Sequence, residues 1–356
     1  MKKVLLVLIN IAFLISACTA QTAAPASTTI PLTATASATN TFLPSITSTT
    51  APIPTATPIL FPMSIPALRA GKYPGSAITI VKELTKGSNY RRYYAYYLSD
   101  GLKIYALLTV PDGETPEGGW PAIVFNHGYI PPNVYKTTER YIAYVDEIAK
   151  AGYVVFRIDY RGHDASEGEA KGAYGDPGYQ IDVLNAVASI KQFPDVNPNK
   201  IGMWGHSMGG YLTLRTMVIS KDVKVGVIWA GVVASYPDLI YNWKRTGAIT
   251  PSPSSRGVGW RTQWIEEFGT PEDNPAFWDS VSATSYLADL SGPLQLHHGT
   301  ADEDVPLEFS IRLAELARKA GKVADLYTYD GDNHNISKYF STAMQRTIAF
   351  FDSVLK

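Results

Sequence analysis

Ser207 lies in Gly205-His206-Ser207-Met208-Gly209, a G-x-S-x-G pattern. A serine hydroxyl is a poor nucleophile until a base takes its proton and an acceptor holds that base. The chemistry in question is therefore acyl transfer, and it requires a histidine and a carboxylate elsewhere in the chain. The five-residue pattern is common, and its flanks decide its meaning. Lys200–Trp204 is short, apolar at alternate positions and β-like, whereas Tyr211–Ile219 reads as a helix with Leu212, Leu214 and Met217 among good helix formers. A strand, a sharp turn carrying the serine and then a helix is the context that lifts a nucleophile above a sheet. Glycines two before and two after the serine fit the same geometry, because a Cβ at either flank would crowd the crossing strand and helix.

With such an elbow the chain order is serine, acid, histidine. The six histidines are His127, His163, His206, His297, His298 and His334. Only His334 lies well beyond a plausible acid, in the polar loop Asp330–Asn335 between the last strand and the last helix, and it is assigned as general base and then general acid. His127 and His163 follow strand ends and are read as loop braces. His206 is expected to point away from the nucleophile at a tight turn. After the strand at Pro293–His298, Asp302, Glu303 and Asp304 are the candidate acids. Asp302 is favoured because it precedes the Val305-Pro306 helix start. Asp304 is the rival, although a helix N-terminus gives it an ordinary capping role. Two donors must meet the developing oxyanion: the N–H of Met208, next after the serine, and the N–H of Tyr129, in the loop His127-Gly128-Tyr129 after a buried strand. The Tyr129 side chain is a further candidate for lining the pocket.

The elements that must position these groups follow from periodicity. Ala77–Leu84, Tyr93–Leu98 and Gly101–Val110 alternate as strands, the last two joined by the hairpin turn Ser99-Asp100-Gly101. Strands are then expected at residues 121–126, 153–159, 200–204, 223–230, 293–298 and 323–329. Helices are expected at residues 138–151, from about 176 to 190, and at 211–219, 306–320 and 337–355. Strands alternating with helices at this spacing imply an α/β fold, a mostly parallel sheet with helices on both faces and antiparallel hairpin strands at one edge. From about residue 231 to 292 the rhythm breaks. This insertion, rich in Trp and Phe, is read as a cap over the strand C-termini that shapes the acyl or leaving-group pocket. Trp229 at its edge and Trp243 and Trp264 within it are the candidate substrate contacts, against the alternative that the cap aromatics form a small core of their own.

The N-terminal part is of another kind. Met1-Lys2-Lys3, the apolar run Val4–Ile15 and Ile15-Ser16-Ala17-Cys18 resemble a bacterial lipobox, which predicts a signal peptide over residues 1–17, acylation at Cys18, the only cysteine, and a membrane-anchored exported protein. An ordinary secretory signal is the alternative. No Asp, Glu, Lys or Arg occurs between Val4 and Leu68. Residues 18–68, rich in Thr, Ser, Ala and Pro, are read as a disordered tether that cannot bury enough apolar surface to fold. The catalytic domain is placed at 69–356. A formal net charge of −1 gives no signal for nucleic acid, and the folded part has no cysteine for a disulfide or a thiolate metal site.

Phe125-Asn126-His127-Gly128, Asp159-Tyr160-Arg161-Gly162-His163, Gly205-His206-Ser207-Met208-Gly209-Gly210, His298-Gly299-Thr300-Ala301-Asp302 with Val305-Pro306, and His334 together resemble the α/β-hydrolase superfamily. They are most similar to the prolyl oligopeptidase-like catalytic domain and its dienelactone hydrolase and esterase relatives, over about residues 77–356. The resemblance implies a serine hydrolase that needs no cofactor and no metal. Two departures stand out. Asp164 occupies a position where many relatives have glycine. Only about forty β-rich residues precede the catalytic domain, so the β-propeller that filters substrates by size in prolyl oligopeptidases is expected to be absent. The reading that follows is hydrolysis of carboxylic esters, with small-molecule or glycan esters such as feruloyl or acetyl esters as substrates. A peptidase acting on small peptides is the second reading, and a non-catalytic binding protein on the same fold is the third.

Overall fold

In the computed structural model the described residues are 60–243 and 259–356. Cys18, the signal-like run and nearly all of the expected tether lie outside them. The described strands are β1 (Thr79–Leu84), β2 (Tyr90–Ser99), β3 (Leu102–Pro111), β4 (Trp120–Asn126), β5 (Val154–Ile158), β6 (Val196–His206), β7 (Val223–Trp229), β8 (Leu294–Gly299) and β9 (Ala324–Tyr329). They form one sheet in the order β1-β2-β3-β5-β4-β6-β7-β8-β9. β1, β2 and β3 pair antiparallel, as do β3 and β5, and every pair from β5 to β9 is parallel. The α/β architecture read from periodicity is the one observed, with the hairpin strands at one edge. The β2–β3 turn places Asp100 and Gly101 at positive φ, 52° and 80°, the geometry that two-residue hairpins favour.

Burial is continuous along the central strands because both faces are covered, and successive residues alternate between two cores. In β4, Ala122 and Val124 face one core and Ile123 and Phe125 the other. The first core lies under α3 (Gly178–Ile190), α4 (Met208–Ile219) and α8 (Leu307–Lys319). The second lies under α2 (Ile142–Lys150) and α9 (Phe340–Leu355). Period-2 alternation on the strands against the apolar faces of α2, α8 and α9, with α3 and α4 buried almost all round, sets the three layers.

Two expectations about the edges of the domain are corrected. The fold begins before residue 69. A helix, α1 (Ile65–Ala70), is capped by the Ser64 hydroxyl, which accepts from the Ala67 N–H, and it buries Ile65 and Leu68. Met63 is buried as well, and Phe61 packs edge-on against Trp264. The low-charge composition that reads as tether conceals these anchors, because four apolar residues suffice once a groove exists to receive them. The second correction concerns the insertion. It contains α5 (Tyr236–Tyr241), α6 (Trp260–Phe268), α7 (Pro275–Val281) and a 3-10 segment at Ala283–Asp289, and its aromatics turn inward. Trp264 stacks on Tyr236 and meets Phe277 and Trp278, so these rings make a core of their own.

Candidate active site

The elbow is where β6 meets α4. Ser207 occupies the joint with φ 56° and ψ −117°, a strained conformation for a residue with a side chain and one that recurs where function demands it. The flanking glycines are required by contact. A Cβ on Gly209 would lie 1.9 Å from the Asn126 carbonyl oxygen, and one on Gly205 would lie 2.3 Å from that of Gly209. Met208 is the first residue of α4, so its N–H has no acceptor within the helix and points from the positive end of the helix dipole.

His334 and Asp302 meet as the order of residues implied. His334 Nδ1 lies 2.8 Å from Asp302 Oδ2. The carboxylate is saturated with donors: the Asp304 and Val305 N–H groups reach Oδ1 at 2.9 and 3.0 Å, and His298 Nε2 lies 3.0 Å from Oδ2. Burial alone would raise the Asp302 carboxyl, but hydrogen bonds from His298 and His334 pull it well below the usual carboxylate range. Asp302 therefore stays ionised and fixes the His334 tautomer with the proton on Nδ1, leaving Nε2 to act as base. His298 was not anticipated in this role. Its position four residues before Asp302, at the end of a strand, was the available signal. Ser310 Oγ lies 2.8 Å from its Nδ1.

His206 does not point away from the site, which corrects the expectation. Its Nε2 lies 3.0 Å from the His334 carbonyl oxygen and its Nδ1 2.7 Å from Tyr141 Oη. A carbonyl only accepts, so Nε2 carries the proton and Nδ1 accepts from the phenol. The phenol oxygen in turn accepts from the Gly128 N–H at 2.9 Å. Every donor in this chain has one acceptor. A protonated His206 would break it, and burial together with the neighbouring His334 charge lowers its pKa to about 3. Tyr141 is held in the left-handed region at φ 57° to reach this place. Gly128 is required as well, since a Cβ there would lie 2.7 Å from Tyr141 Oη and 3.2 Å from Ser207 Cβ. The Gly128 N–H is thus engaged by Tyr141, and Tyr129, next in this loop, lines the cavity beside Ser207.

Ser207 and His334 open into a cavity of about 350 Å³, also lined by Gly128, Tyr129, Arg140, Tyr141, His206, Asp304 and Val305. Three expected substrate contacts are absent from its wall. Trp229 is fully buried on β7, its indole N–H donating to Thr347 Oγ1 at 3.0 Å. Trp264 is the centre of the insertion's own core. Trp243 donates from its indole to the Asp304 carbonyl at 2.9 Å and so supports the acid loop from outside. In each case the ring finds an apolar or hydrogen-bonded seat that open solvent cannot match. Among the described residues of the insertion, none lines this cavity.

Asp164, the departure noted above, has φ 48°. Glycine adopts this region freely and aspartate tolerates it. The carboxylate has its own use there: it accepts from the Thr137 N–H at 3.2 Å and from Lys136 Nζ at 2.8 Å, pinning the loop that leads into α2.

A family model described as the prolyl oligopeptidase family matches residues 140–356, a span that contains Ser207, Asp302 and His334. The chain belongs to the prolyl oligopeptidase family. It is a serine hydrolase of that family. Among curated relatives, the uncharacterized peptidase YuxL of Bacillus subtilis is 28% identical over 249 residues, covering 68% of this chain and 35% of its own length. The uncharacterized peptidase YtmA of the same species is 26% identical over 259 residues, covering 72% and 90%. The chain thus spans about a third of YuxL and most of YtmA. A solved acetyl xylan esterase from Paenibacillus sp. R4 superposes with a TM-score of 0.56 at 17% identity over 80% of this chain and 91% of that one. At that identity the likeness is one of fold. Prolyl oligopeptidase family membership and the geometry above meet at the same residues.

Proposed function

We propose that the protein is a serine peptidase of short peptides that works through an acyl-enzyme on Ser207. Ser207 Oγ attacks the carbonyl carbon while His334 Nε2 takes its proton, and Asp302 stabilises the imidazolium that forms. The Met208 and Tyr129 N–H groups receive the oxyanion. Collapse of the tetrahedral intermediate expels the amine, which takes the proton from His334. A water molecule deprotonated by His334 then attacks the acyl-enzyme and releases the acid, restoring Ser207.

The observation that carries the amide reading is that the family match spans Ser207, Asp302 and His334, and that the curated relatives aligned over the same region are named peptidases. This replaces the ester reading as the main one. Ester hydrolysis remains the second reading, favoured by the Paenibacillus esterase that shares the fold over nearly its whole length. Assaying free peptides and aminoacyl-p-nitroanilides beside p-nitrophenyl acetate separates the two. Ser207-dependent turnover of peptides or anilides supports the proposal, and turnover of the esters alone rejects it. We also propose that the enzyme is exported and held at a membrane through acylated Cys18, on the strength of the charged start, the apolar run and Ile15-Ser16-Ala17-Cys18. Metabolic labelling with a radioactive fatty acid should mark the wild type and not Cys18→Ala.

A further inference from the structure

We infer that the cavity is built for a peptide with both ends free, its ammonium against Asp304 and its carboxylate against Arg140. This rests on the peptidase reading and adds to it a rule for end charge.

Arg140 and Asp304 line the same cavity as Ser207 and His334. Among the described residues neither side chain makes a hydrogen bond or an ion pair, and the two do not pair with each other. Nearby charges behave differently: Lys136 pairs with Asp164 and Arg161 with Asp182. Nor does Asp304 serve the bland purpose open to it, since α8 begins at Leu307 with Pro306 as its N-cap residue and no side-chain cap. The Asp304 N–H and carbonyl are used, by Asp302 and Trp243, so the backbone is fixed while the carboxylate has no partner among the described residues. Two opposite charges placed beside a nucleophile, and without partners among the described residues, are complementary to a ligand that brings both.

The strands they follow put the serine between them. Arg140 lies two residues before α2, on the segment that follows β4. Asp304 follows β8. In the order β4-β6-β7-β8 the serine strand β6 lies between them. A chain lying across the strand ends in this way passes over Ser207.

The test uses the full-length enzyme and one tetrapeptide sequence in four forms: free, N-acetylated, C-amidated and blocked at both ends. The expected result is that each block lowers kcat/KM about tenfold. In Arg140→Gln the penalty for C-amidation should fall to about one while that for N-acetylation persists, and Asp304→Asn should do the reverse. These penalties are ratios within one protein sample, so a general loss of folded enzyme cancels. If blocked and free peptides are cleaved alike, or if the penalties survive in both variants, the end-charge inference is wrong while the peptidase reading stands. If no peptide is cleaved but p-nitrophenyl acetate is turned over through Ser207, the peptidase reading itself falls and takes this inference with it.

Discussion

The Nε2–H of His206 donates to the main-chain carbonyl of His334 at 3.0 Å. Through Tyr141 the same ring is connected to the Gly128 N–H. Three segments far apart in sequence, the elbow, the base loop and the oxyanion loop, are therefore held in register by one neutral imidazole.

Replacing His206 by Phe keeps a ring of similar breadth and removes both hydrogen bonds. We expect kcat to fall about tenfold to a hundredfold, the cost of a small misplacement of catalytic groups, with the far-ultraviolet circular dichroism unchanged. Tyr141→Phe should lose less, because the His206–His334 bond survives. Equal kcat in His206→Phe and wild type would show that the ring positions nothing.

Asp302→Asn should lower kcat by about 10³ to 10⁴ by permitting the wrong His334 tautomer. Ser207→Ala should remove labelling by a fluorophosphonate probe altogether. A wild type that the probe fails to label would count against acyl-enzyme chemistry as a whole.

His297 lends itself to a pH test. Burial lowers its pKa to about 3, against about 6.5 for an unfolded histidine. Between those values the unfolded chain binds the extra proton, so this residue's contribution to stability is present above pH 6.5 and is lost as pH falls towards 3. Its slope reaches about 1.4 kcal/mol per pH unit. Asp159, raised by burial to about 7, acts in the opposite sense between about pH 4 and 7, so the comparison is between proteins. Urea unfolding at pH 5 and pH 7 should show a smaller fall on acidification for His297→Gln than for wild type. An identical fall in both would refute the assignment.

Ile65→Ala should destabilise the domain by about 2–4 kcal/mol, the usual cost of a cavity of that size, measured as a shift in urea midpoint. A chain begun at residue 69 should be less stable still, since it also lacks Phe61, Met63 and Leu68. A protein begun there with an unchanged midpoint would mean that α1 contributes nothing.

The parts of this molecule legible in its sequence were those with a short-range physical signature. The G-x-S-x-G turn was one, because strand, glycine and helix are neighbours in the chain. The unbroken apolar run of β4 and the Asp-Gly hairpin were others. Asp302 and His334 could be placed because chain order constrains them once the elbow is known. What stayed hidden depends on which side of an element a residue faces after packing. Trp229 and Trp264 share their type with pocket residues and differ from them only in burial. Tyr141 and His298 act through partners 65 and four residues away, and no local pattern marks the first. Phe61, Met63, Ile65 and Leu68 sit in a composition that reads as unstructured, and only the groove beside α4 and α7 gives them a place.

Arg215 has a consequence that reaches the serine. It lies on α4, eight residues beyond Ser207 and about 12 Å along the helix axis. Its buried guanidinium donates to the carbonyls of Met63 and Val281, so the start of the fold and the insertion are both fastened to this one helix. In mechanical terms α4 is a strut loaded at its middle and carrying the nucleophile at its end. Tension on either attachment is delivered along the helix to the strained turn at Ser207.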